Sequence, residues 1–267
     1  MMQPQLHTII ETIASDGLSR LDYLLVGGAA LVAGAVNAIA GGGSLISFPA
    51  LVAVGLSPIT ASVTNTVAMC PGYLGATLSQ RKDLSGQGPR AARILPVAAL
   101  GGVAGALLLL RTGEAAFNAV VPWLILSASL LLAVQGKLRA WLADRSASQH
   151  PASLAAIPVG LAAIYGGYFG AGMGVMVLAA LAIVLDDSLT RLNALKQTVS
   201  LVVNVAAAMV FLFSGRIDRP LAVVMLVTSL AGGWIGGLVA SRIPPAVLRW
   251  VVVTVGVVVA VIYIVRS

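Results

Sequence analysis

The sequence predicts an all-α integral membrane protein of about eight spans, built as two tandem four-span repeats, each with a glycine-led broken or re-entrant short helix. Three observations carry that expectation. Hydrophobic residues make up 59% of the 267 and charged residues only 9%, against roughly 25% charged in a soluble domain. Such a chain lacks the polar side chains to cover itself in water, so its solvent must be largely lipid. Apolar runs reach the ~20 residues a helix needs to cross the hydrocarbon core. The glycine clusters and GxxxG pairs of the first half recur in the second at an offset of roughly 131 residues.

Taken in order, residues 1–20 form an N-terminal segment in which Leu6, Ile9, Ile10 and Ile13 recur at helical spacing while Glu11 and Asp16 stay polar. That pattern predicts a short interfacial helix after Pro4. A basic stretch leading into an apolar one is missing, so no cleavable signal peptide is expected. The first membrane repeat, 21–136, holds apolar runs at 21–40, 58–79, 94–110 and 117–134. A polar linker, 137–152, precedes the second repeat, 153–267, with runs at 153–169, 188–213, 220–240 and 246–265. Segments 44–55 and 174–185 are apolar but too short to cross comfortably. Each follows a glycine cluster, Gly41-Gly42-Gly43 in one half and Gly170, Gly172 and Gly174 in the other. Unpaired backbone amides find no water in lipid, so these breaks must be wrapped by protein or line a wet cavity. Gly101 and Gly105 in the third run match Gly232 and Gly236 in the seventh, a spacing that lets helix backbones approach closely. A homo-oligomer formed through those GxxxG faces is one partner reading.

The 16 Lys and Arg against 9 Asp and Glu would suggest nucleic acid in a soluble protein. Here the basic residues sit mainly between apolar runs, which marks them as topogenic charge, and no nucleic-acid partner is expected. If the short segments do not cross, Arg20, Arg81, Lys82, Arg90, Arg93, Lys137, Arg139, Arg145, Arg216, Arg219 and Arg266 fall on one side, with Arg111, Arg242 and Arg249 opposite. The positive-inside rule then places both termini and the linker in the cytoplasm, in a multi-pass protein of the cell membrane. An even number of spans per unit makes the repeats parallel. The lone Cys70 permits no intrachain disulfide and reads as a small core residue. His7 and His150 lie outside the runs, and neither H-E-x-x-H nor G-x-S-x-G occurs. Asp186 and Asp187 read as a solvated turn and N-terminal charge ahead of Ser188, at the outer end of a short segment. No enzyme, cofactor or metal site is expected.

Lys196 lies about two turns into its run, beside Gln197 and after Arg191 and Asn193. A charge there costs at least ~2.5 kcal/mol on insertion scales, so it faces a cavity or partner unless its long stem snorkels to the interface. Arg191 stands nearer the outer mouth. The matching stretch of the first half carries Ser62, Thr64, Asn65 and Thr66, polar groups suited either to a site or to helix–helix hydrogen bonds. Asn37 precedes the first glycine cluster, and Tyr165 and Tyr168 occupy the comparable stretch of the second half, where an aromatic belt explains them equally well. Helix starts at Gly42, Gly43 and Gly172 offer N–H groups and a positive dipole end. With Lys196 and Arg191 added, the site suits an anion.

The strings N-A-I-A-G-G-G-S-L-I-S-F-P-A-L and G-L-S-P-I-T-A-S-V-T-N-T, with G-A-G-M-G and T-R-L-N-A-L-K-Q-T in the second half, resemble the sulfite exporter TauE/SafE family. The resemblance extends over nearly the whole chain, from about residue 21 to 265. It implies an all-helical transporter with a duplicated core that moves sulfur-containing anions such as sulfite, sulfoacetate and other organosulfonates. On that basis the expected activity is export by alternating access, with Lys196 and the glycine breaks holding the anionic group. Asn65, Thr64 and Gln197 would fix its orientation, and Arg191 would guide it near the outer mouth. The alternatives are an uptake permease for another small organic anion and a membrane scaffold that does not transport.

Overall fold

The computed structural model describes residues 17–143, 152–239, 242 and 245–266. The expected interfacial helix after Pro4, with His7, lies outside them, as do Arg145 and His150. Among the described residues the chain is all helix: α1 Arg20–Ile39, α2 Ser44–Ala53, α3 Pro58–Ser79, α4 Gly88–Arg111, α5 Glu114–Ala143, α6 Ala156–Tyr168, α7 Met173–Val184, α8 Leu189–Phe211, α9 Arg219–Val239 and α10 Pro245–Arg266. Short 3-10 turns cover Arg81–Leu84 and Ala152–Ala155.

Helix starts follow local chemistry. Ser19 and Asp22 form a capping box, the Asp22 N–H donating to the Ser19 hydroxyl at 3.3 Å and the Ser19 N–H to the Asp22 carboxylate at 2.8 Å. Ser57 and Ser188 cap α3 and α8, their hydroxyls each accepting at 3.4 Å from the N–H of Thr60 and of Arg191.

Six helices are long and apolar enough to cross a membrane, namely α1, α4, α5, α8, α9 and α10. Two of the runs expected to span do not meet that standard. The first is α3, which has the length, 22 residues, but the polar stretch Ser62–Thr66 lowers its hydropathy. The second is α6, with 13 residues, which reaches about 20 Å at 1.5 Å per residue. The glycine-led segments are short helices, α2 of 10 residues and α7 of 12. α5 continues to Ala143, so part of the expected linker is helical.

Close backbone contact holds the bundle together. α9 packs on α1 and α3, and α4 packs on α6 and α8. A methyl built on Gly232 would collide with the Leu31 carbonyl, and one on Gly236 would meet the Ala35 backbone. In the other contact, a methyl on Gly101 would stand 2.8 Å from the Gly160 carbonyl oxygen, and one on Gly105 would collide with that of Ile164. Both GxxxG pairs therefore face helices of the same chain. In lipid, where apolar surface gains little from association, such interdigitation supplies much of the attraction.

These contacts also set the helix directions. Gly27 meets Val224 and Gly34 meets Gly233, so α1 and α9 run parallel; Gly160 meets Val97 and Gly105 meets Ile164, so α4 and α6 do too. α5 and α10 run antiparallel, Gly136 lying against the Arg249 guanidinium and Gly256 against Ser129. At one end of the bundle Ser57, Glu114 and Arg216 are joined by bonds of 3.0 and 3.2 Å. At the other, Arg90 contacts Asp187 at 2.6 Å. α1 begins at the Ser57 end, and α2 returns the chain there; α6 and α7 likewise leave from and return to the Arg90 end. α1 comes level with the ends of α3 and α9 before α2 turns the chain back, Ala35 lying against Gly236 and the Ala38 carbonyl within reach of Gln80.

The two halves are therefore antiparallel, not parallel as expected, because each half alternates direction through five helices, an odd number. α5 delivers the linker to the Arg90 end, while Arg20 and Arg266 both lie at the Ser57 end. The end of α5 that leads into the linker thus stands at the opposite end of the bundle from Arg20 and Arg266, which corrects the expected topology.

Gly232→Leu should lower the thermal unfolding midpoint in detergent by roughly 3–10 °C, since overpacking costs about 1–3 kcal/mol. Gly28→Leu, where a methyl would meet nothing within 4 Å, should leave the midpoint within about 1 °C. Equal midpoints for the two variants would show that the α1–α9 contact does not hold the bundle.

Candidate functional site

α1 and α6 both stop inside the bundle, and their breaks meet. Gly41 and Gly42 hold φ of 86° and 89°, and Gly170 and Gly172 hold 80° and 77°, left-handed values that glycine adopts without a Cβ clash. A methyl built on Gly174 would stand 3.7 Å from the Gly41 Cα, so the two irregular segments lie against each other at the centre.

Stopping a helix in a bundle leaves its last carbonyls without amide partners. Side chains from three other helices supply donors to the end of α1. Gln197 Nε2, on α8, donates to the carbonyls of Asn37 and Ala38 at 3.0 and 2.8 Å. Gln135 Nε2, on α5, donates to the Ala40 carbonyl at 2.8 Å. Gln80 Nε2, at the C-cap of α3, reaches the Ala38 carbonyl at 3.4 Å, and Lys196 Nζ stands 3.5 Å from that of Asn37. Lys196 is 1% exposed and its Cδ stands 3.7 Å from where a methyl on Gly174 would be. It points inward and does not snorkel. The start of α2 is tied to the same point, because the Gly43 N–H donates to Asn37 Oδ1 at 2.7 Å. Asn37 Nδ2 is buried there with no hydrogen-bond partner, a donor left over at the junction.

Of the residues expected at the site, Lys196, Gln197, Asn37, Gly42, Gly43 and Gly172 gather at this junction. Gly42 lies against Leu132 and Gly172 against Ala128, both on α5. Asn65 stands one step away: its Oδ1 accepts from the Ser47 hydroxyl at 2.6 Å, and that hydroxyl lies 3.5 Å from the Gly43 carbonyl oxygen. Thr64 is not brought in; its hydroxyl oxygen accepts the Asp218 N–H at 3.0 Å, toward the Ser57 end. Arg191 is not at a mouth opposite Arg90. Its Nε binds Asp187 at 2.8 Å and its Nη2 donates to the Ser85 carbonyl at 2.9 Å, and Asp187 holds Arg90 as well. Arg191 and Arg90 therefore share one end, where they close α7 and α8 onto the α3–α4 connection. Burial alone would raise the Asp187 pKa, but hydrogen bonds from Arg191, the Ser188 N–H and Arg90 outweigh it and hold the carboxyl below its ordinary value.

Gln135, Gln80 and Ser47 were not foreseen. Gln135 opens a polar stretch and so reads as linker, and Gln80 ends an apolar run; yet both are buried, at 3% and 8% exposed. A glutamine at the edge of an apolar run, a few residues from charge, is the only signal they carry. A separate groove of about 600 Å³, lined by α2, α3, α5 and α10 residues including Pro49, Asn118 and Tyr263, includes none of the junction residues. Among the described residues no group of three or more His, Cys, Asp or Glu is placed to hold a metal ion.

Residues 26–263 match the family described as sulfite exporter TauE/SafE. The probable membrane transporter protein YfcA of Escherichia coli K12 is 29% identical over 218 residues, 80% of this chain and 79% of its own. A probable membrane transporter protein of Haemophilus influenzae Rd is 30% identical over 227 residues, 83% of this chain and 86% of its own. A third, the probable membrane transporter protein ORF9 of Sinorhizobium sp, is 26% identical over 245 residues, 90% of this chain and 91% of its own. No solved structure matches the chain.

Asp187→Asn should lower the unfolding midpoint at neutral pH by roughly 2–4 °C, the effect of about 1 kcal/mol for partly exposed pairs. With a depressed native pKa, Asp187 stabilises the fold above the ordinary carboxylate range and loses that contribution as pH falls toward its native value. The gap between wild type and variant should therefore close below about pH 4; a gap that persists unchanged under acid would show that the carboxylate is not what ties this end.

Proposed function

The chain belongs to the sulfite exporter TauE/SafE family, and from that membership we propose that it is a membrane transporter carrying a small sulfur-containing anion, such as sulfite, sulfoacetate or another organosulfonate, out of the cytoplasm. The observation that carries this reading is the buried Lys196 at the junction of two broken helices, where Asn37 Nδ2 is an unused donor. Lys196 supplies charge, and the Asn37 amide, with the backbone of Gly42 and Gly172, supplies directed N–H groups to the anionic oxygens. Gln197 and Asn65 hold that frame in shape from α8 and α3.

The chain fits a duplicated unit of five helices, in which α1 to α5 correspond to α6 to α10. Supporting this are the serine caps of α3 and α8 and the reciprocal packing of α4 and α9 on the opposite halves. Antiparallel halves around a central break are suited to alternating access, because the same motion performed by either half opens opposite ends. An anion leaving a cell that is negative inside gains about 2.3 kcal/mol per charge for each 100 mV, so export needs no coupled ion. The GxxxG faces, the surface a scaffold would offer to partners, are taken up within the chain.

The Arg90 end, with Arg81, Lys82, Arg93, Lys137, Arg191 and Arg249, is the more basic and is assigned to the cytoplasm. The helix ends at Arg20 and Arg266 then face outward. A reporter enzyme that is active only outside the cytoplasm should therefore work when fused after Ser267, whereas one that fluoresces only inside should stay dark; the reverse pattern would invert the assignment.

In proteoliposomes, labelled sulfite, taurine, sulfoacetate and a dicarboxylate should separate the substrates, with saturable flux for a sulfur anion. Lys196→Met should cut that flux at least tenfold, since a hydrogen bond to a charged group is worth about 1.5–3 kcal/mol. Unchanged flux would remove Lys196 from the site, and no saturable flux of any of the four anions would overturn the transport reading.

A further inference from the structure

The junction described above is a carbonyl site as much as an N–H site. α1 ends on the carbonyls of Asn37, Ala38 and Ala40, and the side chains Gln197, Gln135 and Gln80 converge on them from three other helices at 2.8–3.4 Å. The carboxyl end of a helix carries about half a negative charge, and it lies here where water cannot solvate it. Carriers with broken helices answer that problem with a bound cation, seated on unwound carbonyls and half-helix C-termini. In this chain the cation-bearing group at the same place is a side chain. Lys196 Nζ stands 3.5 Å from the Asn37 carbonyl oxygen, its stem laid along Gly174, where a methyl would meet the methylenes at ordinary contact distance, 3.7–3.8 Å.

We propose that the Lys196 ammonium is a built-in cation for the carbonyl end of α1, taking the seat a sodium ion would otherwise need, so that the protein works without sodium. This deepens the transport reading and rests on it for the flux measurement alone. It also gives Lys196 two partners in turn. In the empty protein its charge faces the α1 carbonyls, and in the loaded protein it faces the anion. Arrival of substrate thus loosens the end of α1 at the point where α1 meets α2, which couples binding to movement of that hairpin.

The test replaces the side chain by a small one and offers the seat to free cations. Wild type, Lys196→Gly and Lys196→Ser are purified, and their unfolding midpoints measured in choline, sodium and methylammonium chloride at equal ionic strength. Wild type should show one midpoint in all three salts. Both variants should fall by roughly 5 °C in choline and regain at least half of the loss in methylammonium or sodium. Lys196→Met, which refills the space with an uncharged chain, should stay low in every salt. Glycine also weakens the helix by about 1 kcal/mol wherever it stands, so the salt dependence, not the fall itself, is the readout; serine serves if the glycine variant does not fold.

Variants that no small cation rescues, or a wild type that sodium itself stabilises over choline, would overturn the proposal. In proteoliposomes, wild-type anion flux should be equal with and without sodium. Flux that requires sodium would overturn the built-in cation and leave the transport reading standing. No flux of any anion would overturn the transport reading, while the midpoints still decide the cation seat.

Discussion

A peptide group inside a bilayer has no water to bond with, and every helix that stops at depth leaves several such groups behind. Much of this molecule follows from stopping two helices there. α1 ends at Ile39 and α6 at Tyr168, and each ending needs donors, acceptors and shielding brought from elsewhere in the chain. Gln197, Gln135 and Gln80 come from α8, α5 and α3 to one ending, and Tyr165 turns its hydroxyl onto the Ala171 carbonyl at 2.7 Å at the other. The long helices are arranged so that these side chains can arrive. A site with charge, unused donors and irregular backbone results where a continuous helix would have offered none.

The same two breaks set the sense of the halves. A helix that turns back at a glycine cluster returns the chain to the end it came from, so each half runs through five helices and the second half starts at the end opposite the first. Close approach makes the arrangement compact. Glycines on α4 and α9 let each of those helices sit directly on backbone of the other half, so the halves are interleaved and not merely adjacent. Phe48 of α2 stacks edge-on against Phe169, beside the second break, at 5.3 Å between ring centroids, tying the two hairpins together below the polar junction. The hairpin ends are held by polar contacts, Asp187 with Arg90 and Arg191 at one end and Glu114 with Ser57 and Arg216 at the other. Both sets join the first half to the second. The Asp187 set is the better shielded, with the Asp187 side chain 13% exposed against 41% for that of Glu114.

Much of this was legible beforehand. The apolar runs gave most of the long helices to within a few residues, though α4 begins six residues before its run and α5 ends nine after its own, and the glycine clusters marked both breaks. Ser57 and Ser188 announced the helices they cap. Lys196 stood out because a lone charge two turns into an apolar run has few bland explanations. Legibility failed where the deciding quantity was a relation between segments. Leaving α2 and α7 out of the count makes each unit even, the repeats parallel and the linker a neighbour of the termini. Arg191 was assigned to the mouth away from Arg90 for the same reason, until one carboxylate was found between them. Thr64 shared a polar string with Asn65, but one residue along a helix is a turn of about 100°, and its hydroxyl faces Asp218 instead.

Composition and periodicity by themselves determined that this chain is a helical membrane protein, where most of its helices begin and break, and that Lys196 is the charge set within an apolar run. Those properties depend on residues close together along the chain and on the solvent around it. Only the tertiary structure decided that the halves oppose each other, that Gln135 and Gln80 belong to the site, and that Lys196 faces the carbonyl end of α1. A bond such as that from Gln135 to Ala40 joins positions that no periodicity relates, and it exists because a broken helix in lipid must find its partners wherever the fold brings them.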